Sequence, residues 1–268
     1  TLLATERAFA ALRAGGSVAA WGSSSYGGDA SGVRDNLQSG VTSVHATSRA
    51  FAALKEDGSV HTWGGSYGGD SSLVASQLLE GVANLTASTR AFTAFKVSGD
   101  VVPWGDSSSL LGQSSAEFAG ISRIVTTESA FAGIKWDGSV ITWGGSGYGG
   151  DSDSVQPMLK DVVDIVAMSG TFIAIQSDGD TVVWGSLSDK LPHQLANVQS
   201  IAVDGDNLVA ISDSNSLVFY SNLDYFEDVD MTTTAIHNGA MVAATSSACL
   251  VIQEDGHMRT WGKEGYGG

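Results

Sequence analysis

The chain is short of several things at once. Of its 268 residues only 3 are proline and only 1 is cysteine. A single thiol, Cys249, excludes an intrachain disulfide and any cysteine-rich metal centre, and leaves the compartment open. Scarce proline means no stiff spacer between parts of the chain. Basic side chains number 13 against 29 acidic, a net charge of −16, which opposes nucleic acid and anionic membrane surfaces as general partners. No apolar run approaches the roughly 18 residues that a membrane helix requires. No secretory signal is visible either. The chain begins at Thr1, and the expectation is a soluble, processed secreted or organellar-lumen protein.

Reactive constellations are missing as well. His45, His61, His193, His237 and His257 show no paired spacing of the kind metal ligands adopt. There is no Gly-x-Ser-x-Gly elbow, and the Gly-rich run at 144–150 contains no Lys and leads into no helix, so phosphate cradling is unsupported. No cofactor or metal is implied, and a non-enzyme is expected. An enzyme with scattered carboxylates at a central axis is the one catalytic alternative that such motifs would not reveal.

What is abundant is glycine, 34 residues, and it recurs in phase. Anchors fall at Phe9, Phe51, Phe92, Phe131, Phe172, Leu208 and Cys249, spaced 36 to 42 residues apart. Seven residues after each anchor stands Gly16, Gly58, Gly99, Gly138, Gly179, Asn215 or Gly256. Twelve after it stands Trp21, Trp63, Trp104, Trp143, Trp184, Tyr220 or Trp261. Gly, or Asn in its stead, is what a tight hairpin turn with positive φ needs. A two-residue turn at Asp57-Gly58 pairs Ala52 with Trp63 and Phe51 with Gly64, so each ring faces a small neighbour. Upstream lies a further β-like run, such as GVTSVHAT, and between units a polar stretch that supplies a weaker fourth strand. Seven such units predict one all-β domain over 1–268: a seven-bladed β-propeller of four-stranded antiparallel blades. Its first blade is expected to be completed by the C-terminal segment, the alternative being that the chain is a piece of a longer repeat array.

The stretches ALKEDGSVHTWGGSYGG (53–69), GIKWDGSVITWGGSGYGG (133–150) and AIQSDGDTVVWG (174–185) resemble the regulator of chromosome condensation repeat family. The pattern covers nearly the whole chain. In length and copy number the chain is similar to the compact bacterial type, one of which inhibits β-lactamases through loops on one face. The resemblance implies a propeller and a protein partner. Guanine-nucleotide exchange on a small GTPase and chromatin binding are not expected, because the repeats lack the inserted wedge and the basic surfaces. The usual G-Q-L-G loop is replaced by YGGD at 26–29, 67–70 and 148–151.

That loop has two readings: a ring of tyrosines on one face, or a joint in which Gly supplies the turn and Asp caps amides. Arg7, Arg49 and Arg90 stand two residues before their anchors, at the same end of the sheet as Tyr26, Tyr67 and Tyr148. They form either a binding arc, since both residue types favour hot spots, or pairs with Asp29 and Asp70. Arg13, Lys55, Lys96 and Lys135 share one slot at the opposite end, as a basic crescent or a solvated edge. Trp136 sits beside a hairpin turn, folded over a neighbour or exposed as an anchor. LDYFEDVDM (223–231) adds Tyr225 and Phe226 among acids without the spacing of an EF-hand. The expected function is therefore a protein-binding scaffold or accessory subunit with an unidentified protein partner. A glycan- or cation-binding module is the alternative.

Overall fold

A computed structural model describes residues 1–106, 115–188, 191, 196–204, 207–212, 217–220, 239–245 and 248–262. The fold is all-β, with one small antiparallel sheet per repeat. The sheets are β1–β3 (Leu2–Ala4, Ala8–Leu12, Val18–Gly22), β4–β6 (Val41–Ala46, Ala50–Lys55, Val60–Gly64) and β7–β9 (Val82–Ala87, Ala91–Lys96, Val101–Gly105). Next come β10–β12 (Ile121–Thr126, Ala130–Lys135, Val140–Gly144) and β13–β15 (Val162–Met168, Thr171–Gln176, Thr181–Gly185). The last are β16–β18 (Val198–Asp204, Asn207–Ser212, Leu217–Tyr220) and β19–β21 (Gly239–Ala244, Ala248–Gln253, Met258–Gly262). Two compact units are present: residues 1–135 with 141–151, and residues 136–140 with 152–268. The expected closure by the C-terminal segment falls on 263–268, outside the described residues.

Each described sheet has three strands, not four. The expected fourth strand is replaced by 3-10 turns, such as Ser31–Leu37 and Ser72–Gln77. These linkers carry too few apolar residues to alternate, and their apolar side chains act singly as plugs: Leu37, Leu78, Phe118 and Leu159 are all buried. The open edge of the third strand is satisfied piecemeal. Val60 N–H donates to the Leu78 carbonyl at 2.8 Å, and the Thr62 hydroxyl to the Gly69 carbonyl at 3.0 Å. Such cover blunts an edge without a further strand.

The hairpin register also differs from expectation. Phe51 faces Trp63, and Ala52 faces Thr62. The reason lies in the turn. Gly58 N–H donates to the Lys55 carbonyl at 3.0 Å and Lys55 N–H to the Ser59 carbonyl at 2.9 Å, so the loop has three residues, with Gly58 at φ 77°. A type I turn closed by a left-handed glycine shifts the pairing by one residue relative to a two-residue turn. The rings therefore stack on each other. Their centroids are 5.4 Å apart in Phe51–Trp63, 5.2 Å in Phe92–Trp104, 5.3 Å in Phe131–Trp143 and 5.3 Å in Phe172–Trp184.

In the first unit these pairs fill the space between successive sheets. One cluster joins Ala8, Ala10, Val41, Phe51 and Trp63, and the next joins Ala50, Ala52, Leu85, Phe92 and Trp104. A third holds Ala91, Phe118, Phe131 and Trp143. In the second unit Ile173, Val183, Leu208 and Ala210 form one cluster, and Val209, Val242, Cys249 and Val251 another. Cys249 thus occupies the ring slot as a buried small hydrophobe, as its position in the repeat implied. Burial pushes its thiol up to about 11, against a smaller lowering by a hydrogen bond from the Trp261 backbone.

Two outcomes follow for stability. Trp143 is buried and donates its indole N–H to the Thr93 hydroxyl at 3.1 Å. Thr93→Val should cost about 1–3 kcal/mol in urea denaturation by stranding that donor, and the penalty should disappear in a Trp143→Phe background. The Cys249 thiol is raised in the folded state, so its contribution is intact below the ordinary pKa of 9.0 and is lost as pH rises toward about 11. Between pH 8 and pH 10 the native chain should lose about 1 kcal/mol more stability than Cys249→Ala.

Candidate functional site

The site grows out of the Trp residues. Trp63 donates its indole N–H to the Gly27 carbonyl at 3.0 Å, and Trp104 to the Gly68 carbonyl at 3.1 Å. The second and third sheets therefore grip the YGG loop of the preceding repeat. Gly27 has φ 91°, and a Cβ there would meet the Phe51 ring at 2.6 Å. Only glycine lets the loop lie flat on that ring. A second grip comes from the turns before β2 and β11. Thr5 accepts from Ala8 N–H at 3.0 Å and donates from the same hydroxyl to the Tyr26 carbonyl at 2.9 Å. Thr127 does the same for Ala130 and the Tyr148 carbonyl, at 3.2 and 2.8 Å.

The Tyr26 loop is held from both sides, the Tyr67 loop by the indole bond and the Tyr148 loop by the threonine bond, and there the tyrosines meet the arginines. Arg7 lies 5.1 Å from the Tyr26 ring centroid, and Arg49 lies 5.3 Å from Tyr26 and 5.2 Å from Tyr67. Arg90 lies 5.4 Å from Tyr67 and 5.5 Å from Tyr148. These five contacts form a continuous cation–π arc in the order Arg7, Tyr26, Arg49, Tyr67, Arg90, Tyr148, all within the first unit. Arg7 is exposed and the other five are half-buried. Tyr67 itself has φ 71°, a left-handed backbone unusual for a ring-bearing residue. Its loop is one residue shorter than the other two: Tyr67 is four residues after Trp63, whereas Tyr26 and Tyr148 are five after Trp21 and Trp143. A 330 Å³ open cavity lies in that same loop, lined by Gly64 to Asp70 and by Gly105.

The expected pairing of the arginines with Asp29 and Asp70 is not what forms. Asp29 accepts from Ser31 N–H at 2.8 Å and Asp70 from Ser72 N–H at 2.9 Å, and those bonds hold both carboxyls below their ordinary value. The loop is a joint, and the same glycines and aspartates that shape it set the tyrosine rings beside the arginines. Carboxylates do reach one arginine. Arg90 pairs with Glu128 at 2.9 Å, approaches Asp106 at 3.9 Å and donates to the Tyr148 hydroxyl at 3.0 Å. Burial pulls its guanidinium down, and Glu128, Tyr148 and Tyr67 together carry it above its ordinary value.

Other predicted residues lie apart from the arc. Trp136 follows β11 at the hairpin tip, is 84% exposed and does not fold over a neighbour. Tyr225 and Phe226 lie outside the described residues. The slot of Arg13, Lys55, Lys96 and Lys135 has a local use: Lys96 donates to the Gln77 carbonyl at 3.0 Å, at the end of a 3-10 linker. Gln176 in the equivalent position donates to the Met158 and Lys160 carbonyls. Sequence reading missed Thr5, Thr127, Glu128 and Asp106. The first two had a visible signal, a Ser or Thr three residues before the Ala that opens the anchor strand in the first four repeats, as in TERA, TSRA and STRA. Among the described residues no three His, Cys, Asp or Glu side chains gather as a metal site. No described helix is long and apolar enough to cross a membrane.

No protein-family model matches the chain, and no curated protein does. Solved structures are similar at low identity. Prp20p of Saccharomyces cerevisiae is 18% identical over 85% of this chain and 73% of its own, with a TM-score of 0.44. The ectodomain of the Physcomitrella patens receptor kinase CR4 is 14% identical over 97% and 72%, with a TM-score of 0.46. The β-propeller domain of Cps50 (Swd1) from Myceliophteria thermophila is 11% identical over 98% and 96%, with a TM-score of 0.33. Likeness of this depth carries no information about chemistry.

The two flanking tyrosines of Arg90 should respond differently to loss of a hydroxyl. Tyr148→Phe removes an acceptor of Arg90 and should cost about 1 kcal/mol in thermal or urea unfolding, whereas Tyr67→Phe keeps its stacking and should cost little. Equal costs would contradict the arrangement.

Proposed function

We propose that this chain is a non-enzymatic protein-binding scaffold that presents the Arg–Tyr arc to a protein partner. The observation that carries the reading is the arc itself: six side chains from three loops and three turns, in unbroken contact from Arg7 to Tyr148. Arg and Tyr are the residues that dominate binding hot spots. Tyr offers a large contact area with two side-chain torsions to fix, and a guanidinium stacked between rings loses less freedom on docking. The backbone beneath is fastened by the indole and threonine hydrogen bonds, so the surface is formed before a partner arrives. Pairing within the arc and contact with a partner are compatible, because cation–π stacking leaves guanidinium edges free to donate.

The two ends of the strands supply an internal control. Arg49 precedes β5 and Lys55 ends it. Affinity capture from extracts of the source cells should recover a protein with the native chain and with Lys55→Gln/Lys96→Gln. The Arg7→Gln/Arg49→Gln/Tyr67→Ala variant should recover it at least about tenfold less. Equal recovery by all three, or no protein partner with any, would overturn the proposal.

A further inference from the structure

Repeat symmetry makes one asymmetry in the arc conspicuous. The three arginines occupy the same slot, yet only Arg90 meets a carboxylate among the described residues. Its principal partner, Glu128, stands three residues before the Phe131 anchor of the next repeat. The same slot holds Ser48 in the repeat after Arg7 and Thr89 in the repeat after Arg49. The preceding repeat bonds all three carbonyls, from the residue three before its anchor at Ser48 and Thr89 and from the residue two before its anchor at Glu128. Glu6 N–H donates to the Ser48 carbonyl at 3.0 Å, Ser48 N–H to the Thr89 carbonyl at 2.8 Å, and Arg90 N–H to the Glu128 carbonyl at 2.9 Å. Where the slot that pairs with Arg90 holds an acid, the corresponding slots for Arg7 and Arg49 hold hydroxyl-bearing residues.

The electrostatic consequence is local. The chain carries 29 acidic side chains, yet no described carboxylate lies within 4.0 Å of Arg7 or Arg49. Asp29 and Asp70, the acids nearest in sequence to the tyrosine rings, are held by Ser31 and Ser72. The Arg49 Nε is buried and has no hydrogen-bond partner. Two guanidinium groups are thus pre-oriented on Tyr26 and Tyr67, without the counter-charge that their equivalent receives.

Resting on the scaffold reading above, we propose that the Arg7–Arg49 part of the arc docks an acidic segment of a partner protein. Two of the segment's carboxylates take the places that Glu128 takes against Arg90. The third arginine, already neutralised in cis, displays the geometry of the occupied state: a carboxylate oxygen 2.9 Å from Nη2 while the guanidinium stays on its tyrosines. Charge-assisted contacts of this kind are about twice as strong as neutral ones. A nucleic acid is the wrong polyanion, because the net charge of −16 repels an extended phosphate chain while two isolated cations suit a short acidic stretch.

A fluorescein-labelled hexaglutamate peptide is the probe, read by polarisation at low salt against the intact chain. Binding should weaken at least about tenfold in Arg7→Gln/Arg49→Gln and in Ser48→Glu/Thr89→Glu. The second variant supplies both missing carboxylates from within, so it should block the peptide while keeping or raising the melting temperature. The glutamate insertions and the arginine removals test the site independently, so misfolding of one leaves the other decisive. No binding to the native chain, equal binding to both variants, or tighter binding of a single-stranded oligonucleotide of equal charge would overturn the inference. If capture of a natural protein depends on the arc but hexaglutamate does not compete for it, the scaffold reading stands and the acidic-segment assignment fails.

Discussion

The indole N–H of Trp63 and of Trp104, each reaching the loop carbonyl of the preceding repeat, is the contact on which the rest depends. Trp63 is positioned for that reach by its stack on Phe51, and the stack exists because a three-residue turn ending at Gly58 brings the two rings opposite each other. The bond to Gly27 then presses a loop without a side chain onto the Phe51 ring. With the loop fixed, Tyr26 is carried between Arg7 and Arg49. Packing, turn geometry and surface chemistry are thus one sequence of causes, repeated in Trp104 and Gly68. Where the loop motif is missing after Trp104, Trp143 turns to Thr93 instead, a hydroxyl in a slot that holds Ala10, Ala52 and Ala132 in neighbouring copies.

Much of this was legible in the chain itself. The in-phase Phe, Gly and Trp slots specify one antiparallel sheet per repeat, and the strand directions put Arg7, Arg49 and Arg90 at the same end as the YGGD loops. The register was not legible, because Asp-Gly is compatible with turns of two or three residues and the choice reverses which side chains face each other. The fourth strand was overread: DSSLVASQLLE has isolated apolar residues, and Leu78 needs a hole to fill and not a pleated face. Within the arc, the partners of the arginines were hidden because three of the five cation–π contacts join different repeats. The left-handed backbone of Tyr67, at φ 71° in the loop that is one residue shorter, was not legible either.

The arc also separates what symmetry builds from what single substitutions add. Repetition lays down alternating Arg and Tyr at no special cost, since each pair reuses the same turn and loop. Glu128 then closes one position by neutralising Arg90, while Ser48 and Thr89 leave two open. A chain whose overall charge is strongly negative thereby keeps two stacked arginines with no described carboxylate within 4.0 Å. Arg13, Lys55, Lys96 and Lys135, also regularly spaced, belong to a different economy: Lys96 is occupied with the carbonyl that ends a linker.

The central claim is that the indole bonds hold the tyrosine loops, and through them the arginines, in place. Nitrogen-15 NMR of the Arg Nε–H groups tests it most directly, because a guanidinium stacked on a ring is shifted upfield by the ring current. The account predicts upfield Nε–H resonances for Arg49 and Arg90 in the native chain, and their return toward free-arginine positions when Trp63 and Trp104 are replaced by Phe. Resonances that stay upfield in the folded double variant, or that are unshifted in the native chain, would contradict it.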